Sequence, residues 1–274
     1  MEIETGLPPV RRRPLRLEIR DNESADAALE RARAAFHEGH HLEAIDLYEE
    51  LVSVAPEQAI DLLAELYDSY KQLGPRDRYT LYVSREFDFG IEPTDRVLDI
   101  GSGHLPVPFA THLADVAPDD DGFGRAGAPL ERDGRPFFEC DVEDMPFEGK
   151  DFDFVYCSHV LEHVRNPERA CAELMRVGRR GYIETPTRGK DLWLNSALAS
   201  GHLWAVENYR GRLVFTEYDE RDRDGIGCDL LMNMHCAPQT EREKAFSALV
   251  WLKSSIVNTT LYWEDRFDVE VRRL

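Results

Sequence analysis

The run Val97-Leu98-Asp99-Ile100-Gly101-Ser102-Gly103 constrains this chain more than any other stretch of it. A short apolar strand ends on an acid and passes straight into a glycine turn. Glycine has no Cβ, so a turn of this kind lets backbone come close to a ligand. Such turns sit at the carboxyl edge of a parallel sheet, where open α/β folds take up nucleotides. The acid narrows the choice of ligand. A phosphate loop keeps carboxylates away from its anion, whereas Asp99 suits a ligand with cationic or hydroxyl groups near the turn.

The following segments repeat the alternation. Phe137 to Phe147 reads as a strand that ends on Asp141 and then turns, and Phe152 to Cys157 reads as a second apolar strand. Ser158-His159-Val160-Leu161-Glu162-His163-Val164 leads to Asn166-Pro167 and a helix over about Glu168 to Val177, with Gly178 placed to end it. Gly181 to Pro186 is another short strand. Strands and helices alternating at this spacing build a parallel, doubly wound sheet.

Three motifs make the order more specific: Asp-x-x-x-Met-Pro-Phe from Asp141, Phe-Asp-Phe-Val from Phe152, and Val-Leu-Glu-His-Val-x-x-Pro from Val160. Together with the glycine turn they resemble the class I S-adenosylmethionine (SAM)-dependent methyltransferases, type 11 group, over about Ile91 to Tyr218. The resemblance implies an α/β fold with a Rossmann-like, mostly parallel seven-stranded sheet and flanking helices. It implies SAM as cofactor and a small molecule as methyl acceptor. Gly101, Ser102 and Gly103 would pack against the methionyl part of SAM, with Asp99 in the same set. Asp141 and the Val142 backbone would hold the adenine, and Ser158 and His159 would lie near the reactive methyl.

The pattern departs from that group after Gly103, where Leu105 stands in place of a third glycine and Pro106 and Pro108 follow. Two prolines so close together oppose an immediate helix. Either a helix starts at Pro108 and covers 109–115, or Ala110 to Val116 is already the second strand. The strand is the expected form, and Asp115 then becomes the acid that receives the ribose hydroxyls. Asp119, Asp120 and Asp121 are its rivals, nearer the usual spacing of about 20 residues.

His159-Val160-Leu161-Glu162-His163 also matches His-x-x-Glu-His, the inverted zinc-protease motif. That motif belongs inside a helix, whereas this one follows directly on a strand, and no downstream acid stands out as third ligand. Cys228, His235 and Cys236 lack a paired Cys-x-x-Cys. No metal is therefore expected.

The chain carries 33 Lys and Arg against 53 Asp and Glu, a net charge of −20. That balance opposes non-specific nucleic-acid binding, which rests on neutralising phosphates. The five cysteines lack framework spacing and no apolar run has the length of a membrane span or leader, so a cytoplasmic location is expected.

Residues 1–22, with Arg11-Arg12-Arg13-Pro14-Leu15-Arg16, read as a flexible basic arm. Residues 23–89 show helical periodicity and resemble a short tetratricopeptide segment, Phe36 aligning with Tyr70 and Tyr48 with Tyr82. A partner or a second copy could dock there. The resemblance implies that residues 90–274 form the methyltransferase domain, with acceptor-side insertions at about 187–210 and 219–257. Leu192 to Ala199 reads as helix, Arg212 to Tyr218 as strand, and Thr259 to Val271 as one or two strands closing the sheet. His202 and Trp204 are candidate acceptor contacts, and His159 and His202 candidate general bases. The alternative function is a non-catalytic domain of this kind that serves as an interaction module through its helices.

Overall fold

A computed structural model describes residues 11–12, 19, 23–73, 83, 86–116, 129–194, 201–223, 229–252 and 257–274. It divides the chain into two compact units, one of 1–10, 89–228 and 255–274 and the other of 11–88 and 229–254.

The second unit begins with β1 (Arg11–Arg12), α1 (Ala25–His37), α2 (His41–Val54) and α3 (Ala59–Leu73), and continues to β2 (Phe87–Asp88). Ser24 caps α1 by accepting the Ala27 N–H, and Ala28, Leu29, Ala32 and Ala35 form its buried stripe. Small residues on that stripe let α1 and α2 approach closely. Arg11 and Arg12 pair antiparallel with Asp88 and Phe87 and so belong to a two-stranded ladder, where the sequence suggested a free arm. Tyr82, half of the repeat echo, lies outside the described residues.

The first unit holds β3 (Val97–Ile100), β4 (His112–Asp115), β5 (Phe137–Glu139), β6 (Phe152–Ser158), α4 (Pro167–Val177), β7 (Gly178–Pro186) and α5 (Arg188–Trp193). It continues through β8 (Trp204–Tyr209), β9 (Arg212–Glu217) and α6 (Glu220–Arg223). Then α7 (Asp229–Cys236) and α8 (Glu241–Leu252) return to the helical unit, and β10 (Asn258–Glu264) and β11 (Asp268–Arg272) end the chain in the sheet unit. Residues 229–254 thus group with the helices rather than with the sheet. α8 packs extensively on α3, which gives α3 the apolar partner that a tetratricopeptide hairpin would take from its next repeat.

The main sheet runs β10-β7-β6-β3-β4-β5, all parallel except β10, which closes the edge antiparallel to β7. Among the described residues it has six strands where seven were expected, because β8, β9 and β11 pair with each other in a separate three-stranded sheet. β6 shows why the sheet is buried on both sides. Val155 and Cys157 join the core formed with α4, Trp204, Phe215 and Trp263. Phe154 and Tyr156, one residue out of phase, face Phe89, Phe109 and Tyr182.

The strand expected at Ala110 to Val116 is β4, and it starts two residues later than expected. β5 ends at Glu139 rather than Asp141, so Asp141 stands just beyond the strand end. Of the helix expected at Leu192 to Ala199, only Leu192 and Trp193 fall in a described helix, the end of α5; residues 195–200 lie outside the described residues. No described helix is long and apolar enough to cross a membrane.

Candidate cofactor site and the polar cluster beside it

Chain order turns back at β3: β4 and β5 add on one side, β6 and β7 on the other. Parallel α/β sheets bind ligands at the carboxyl ends of strands flanking such a reversal. Gly101 to Gly103, Asp115, Asp141-Val142 and Ser158-His159 follow the carboxyl ends of β3, β4, β5 and β6, so one edge gathers every predicted cofactor residue except Asp99.

Gly101 (φ +74°) and Gly103 (φ +56°) turn the loop with left-handed backbone. A Cβ on Gly101 would lie 2.2 Å from Val160 Cγ2, so the loop also needs glycine for close approach. The Gly101 and Ser102 N–H groups both donate to the Ala114 carbonyl, at 2.7 and 3.1 Å. The Gly103 N–H donates to Asp115 Oδ2 at 3.0 Å. The turn therefore directs its amides at β4, whereas the glycines suggested bare N–H groups for a ligand. What the turn keeps is a buried hydroxyl, Ser102 Oγ, with no hydrogen-bond partner among the described residues.

Asp99 also differs from its expected role. It is 3% exposed, its Oδ2 accepts the Val107 N–H at 2.7 Å, and burial pushes its carboxyl up to about 7. Asp99 holds the proline-bearing loop in place. Arg135 holds the same loop by donating to the Val107 and Ala110 carbonyls. These bonds stabilise the irregular path that Pro106 and Pro108 impose.

Asp115 is buried at the end of β4, in register with Glu139. Asp119, Asp120 and Asp121 lie outside the described residues. Asp141 is exposed and accepts the Glu143 N–H at 2.8 Å, which fixes the turn, while Val142 is buried in the core.

Beyond β6 lies a cluster of which the sequence announced only the histidines and Glu162. His159 has left-handed backbone (φ +57°), and its N–H donates to the Glu184 carbonyl at 2.8 Å. Its ring sits between two buried carboxylates, 3.3 Å from Glu162 Oε1 and 3.3 Å from Glu184 Oε1. Glu184 also receives Tyr182 Oη at 2.7 Å and Asn258 Nδ2 at 3.2 Å. Residues Leu161–His163 form a single 3₁₀ turn. His159 and His163 are therefore not stacked one α-turn apart, and the zinc-protease arrangement is not formed.

His163 and His202 meet edge to face with centroids 4.6 Å apart. His202 is buried; its Nδ1 lies 2.8 Å from Asp191 Oδ2, which Tyr218 Oη approaches at 2.9 Å. Burial alone would lower the His202 imidazole, but the Asp191 hydrogen bond and the charge of Glu162 outweigh it and raise it. Burial would likewise push the Glu162 carboxyl up, yet His159, with His163 and His202, holds it below the ordinary value. Trp204 is buried in the core, its indole N–H donating to the Val164 carbonyl at 2.7 Å. Asp191, Glu184, Asn258 and Tyr218 carried no sequence signal, since each reaches the cluster from a separate element.

Residues 98–183 match the model of the methyltransferase domain. The demethylmenaquinone methyltransferase of Renibacterium salmoninarum is 35% identical over 97 residues, 34% of this chain and 40% of that protein. The chain thus spans less than half the length of that relative. The YcgJ protein of Bacillus subtilis is 23% identical over 34% of this chain and 44% of its own, with a TM-score of 0.27. A SAM-dependent methyltransferase of Thermotoga maritima is 17% identical over 51% and 65%, with a TM-score of 0.32. Over residues 98–183 this chain is thus similar to methyltransferase domains.

Proposed function

We propose that the chain transfers a methyl group from SAM to a small-molecule acceptor. The observation that carries this reading is the convergence of Gly101 to Gly103, Asp115, Asp141-Val142 and Ser158-His159 on one carboxyl edge of the sheet. The residues suit the cofactor. The orphaned Ser102 hydroxyl is a polar group in need of a partner at the turn, and Asp115 offers carboxylate oxygen at the level of a ribose. Asp141 stands beyond β5, where an adenine edge could be received.

SAM would supply an electrophilic methyl on a sulfonium. The chain's own part is alignment: an in-line displacement gains most from holding nucleophile and methyl in register and excluding water. Ser158 and His159 occupy the β6 end for that purpose, and the two flanking carboxylates fix the His159 ring. His202 serves this reading less directly, because Asp191 and the Glu162 side of the cluster engage its ring.

Calorimetric titration with S-adenosylhomocysteine tests the reading. Micromolar binding to wild type, weakened at least about tenfold in both Asp115→Ala and Asp141→Ala, is the expected result. Weakening only in Asp141→Ala would move the ribose contact away from Asp115. No binding to wild type would overturn the proposal. Binding without transfer of labelled methyl to any extract component would favour the non-catalytic alternative, to which the self-satisfied glycine-loop amides lend some support.

A further inference from the structure

Besides its contact with His159, Glu162 belongs to a second grouping in the polar cluster. One donor atom each from Glu162, His163 and His202 lies within 4.8 Å of the others. Two histidines and a carboxylate are a donor set of zinc and related divalent ions. Glu162 is fully buried, and neither carboxylate oxygen has a hydrogen-bond partner among the described residues. The His159 Nδ1 contact at 3.3 Å is close enough for an ion pair but not aligned as a hydrogen bond. A buried carboxylate without hydrogen bonds costs several kcal/mol unless cationic groups meet it, and His159 is one such group beside Glu162.

The surroundings have the form of an outer shell. A metal-bound histidine commonly gives one ring nitrogen to a carboxylate or backbone carbonyl and the other to the metal. His202 Nδ1 is 2.8 Å from Asp191 Oδ2, and His163 Nδ1 is 3.3 Å from the Gly201 carbonyl. Tyr218 in turn donates to Asp191. The three donors also stand on segments already joined, since the Leu203 N–H donates to the Glu162 carbonyl at 2.7 Å.

We propose that Glu162, His163 and His202 bind one divalent transition-metal ion of the zinc class, with Asp191 and the Gly201 carbonyl orienting the histidines. Bond lengths near 2.1 Å place tetrahedral donors about 3.4 Å apart, so donors now within 4.8 Å of one another close by up to about 1.4 Å on binding. The ion neutralises Glu162 and fixes the segment 201–203 to the corner between β6 and α4. Only two residues of the His-x-x-Glu-His motif take part. His159 faces Glu162 and Glu184 instead, and the third ligand comes from the segment before β8 rather than from a downstream acid.

The test uses the intact chain, stripped with a chelator, dialysed against excess zinc and then analysed for bound metal. One zinc per chain is expected, with affinity about 10–100-fold weaker in Asp191→Asn and binding lost in His202→Gln and His163→Gln. Circular dichroism checks that each variant is folded. Cobalt(II) loaded into wild type gives a second reading that needs no variant: a visible spectrum of nitrogen and oxygen ligation is expected. No zinc on wild type would overturn the proposal. So would zinc retained in both folded histidine variants, or a thiolate-to-cobalt charge-transfer band, which would put the ion on cysteine. The S-adenosylhomocysteine titration is independent of these outcomes, so the two proposals fail separately.

Discussion

Burying a carboxyl at the end of a strand favours its protonated form, and Asp99 shows the consequence. Its folded value of about 7 lies above the ordinary 3.8 because burial penalises the charge. The folded state therefore holds this proton more tightly than the unfolded chain does. The associated stability is complete below about pH 4 and is lost as pH rises through about 7. Asp99→Asn keeps an oxygen for the Val107 N–H and removes the titration. Urea unfolding at about pH 5 and about pH 8 should show wild type losing about 2–3 kcal/mol more than the variant over that interval. Equal losses would place Asp99 in an environment much closer to water than its burial implies. Sequence reading found Asp99 correctly but gave it to a ligand, because a carboxylate beside glycines has the same letters whether it faces in or out.

At the scale of elements, α4 was legible almost to the residue. Asn166 caps it by accepting the Arg169 N–H at 3.1 Å, Pro167 occupies its first turn, and Ala170, Cys171, Leu174 and Val177 form the buried stripe. Each feature is local, and local chemistry is what a sequence records. Asn166→Ala should cost about 1 kcal/mol, read as a shift in the denaturation midpoint at unchanged slope. An unchanged midpoint would mean that packing alone sets this helix terminus. The loop 104–110 is the opposite case. Its prolines announced that a helix was missing, but the loop is held by Asp99, 8 residues before Val107, and by Arg135, 28 and 25 residues beyond Val107 and Ala110, and neither contact follows a local pattern.

On the scale of the molecule, the chain returns to each of its two units after leaving it, and no local pattern encodes such a return. The partner of α3 is α8, supplied by residues that the sequence reading assigned to the methyltransferase domain. The polar cluster is likewise assembled from the residue after β6, the 3₁₀ turn that follows, β7, α5, the segment before β8, the residue after β9 and the start of β10. Binding to the folded state alone adds stability by mass action. S-adenosylhomocysteine at about 100 times its dissociation constant should stabilise the protein by about 2.7 kcal/mol, with amide-exchange protection greatest at the carboxyl ends of β3 and β4. Ligand binding without added protection at those strand ends would locate the cofactor elsewhere.

By itself the sequence determined the alternation of strands and helices, the carboxyl-edge turn, the loss of the first helix and the residues that share one carboxyl edge. Those follow from periodicity, capping and turn chemistry acting within a few residues. Only the tertiary structure decided that Asp99 faces inward, that the glycine amides are spent on β4, and that Glu162, His163 and His202 meet. Burial and charge pairing depend on what the rest of the chain brings alongside, and here the partners of each group lie on other elements.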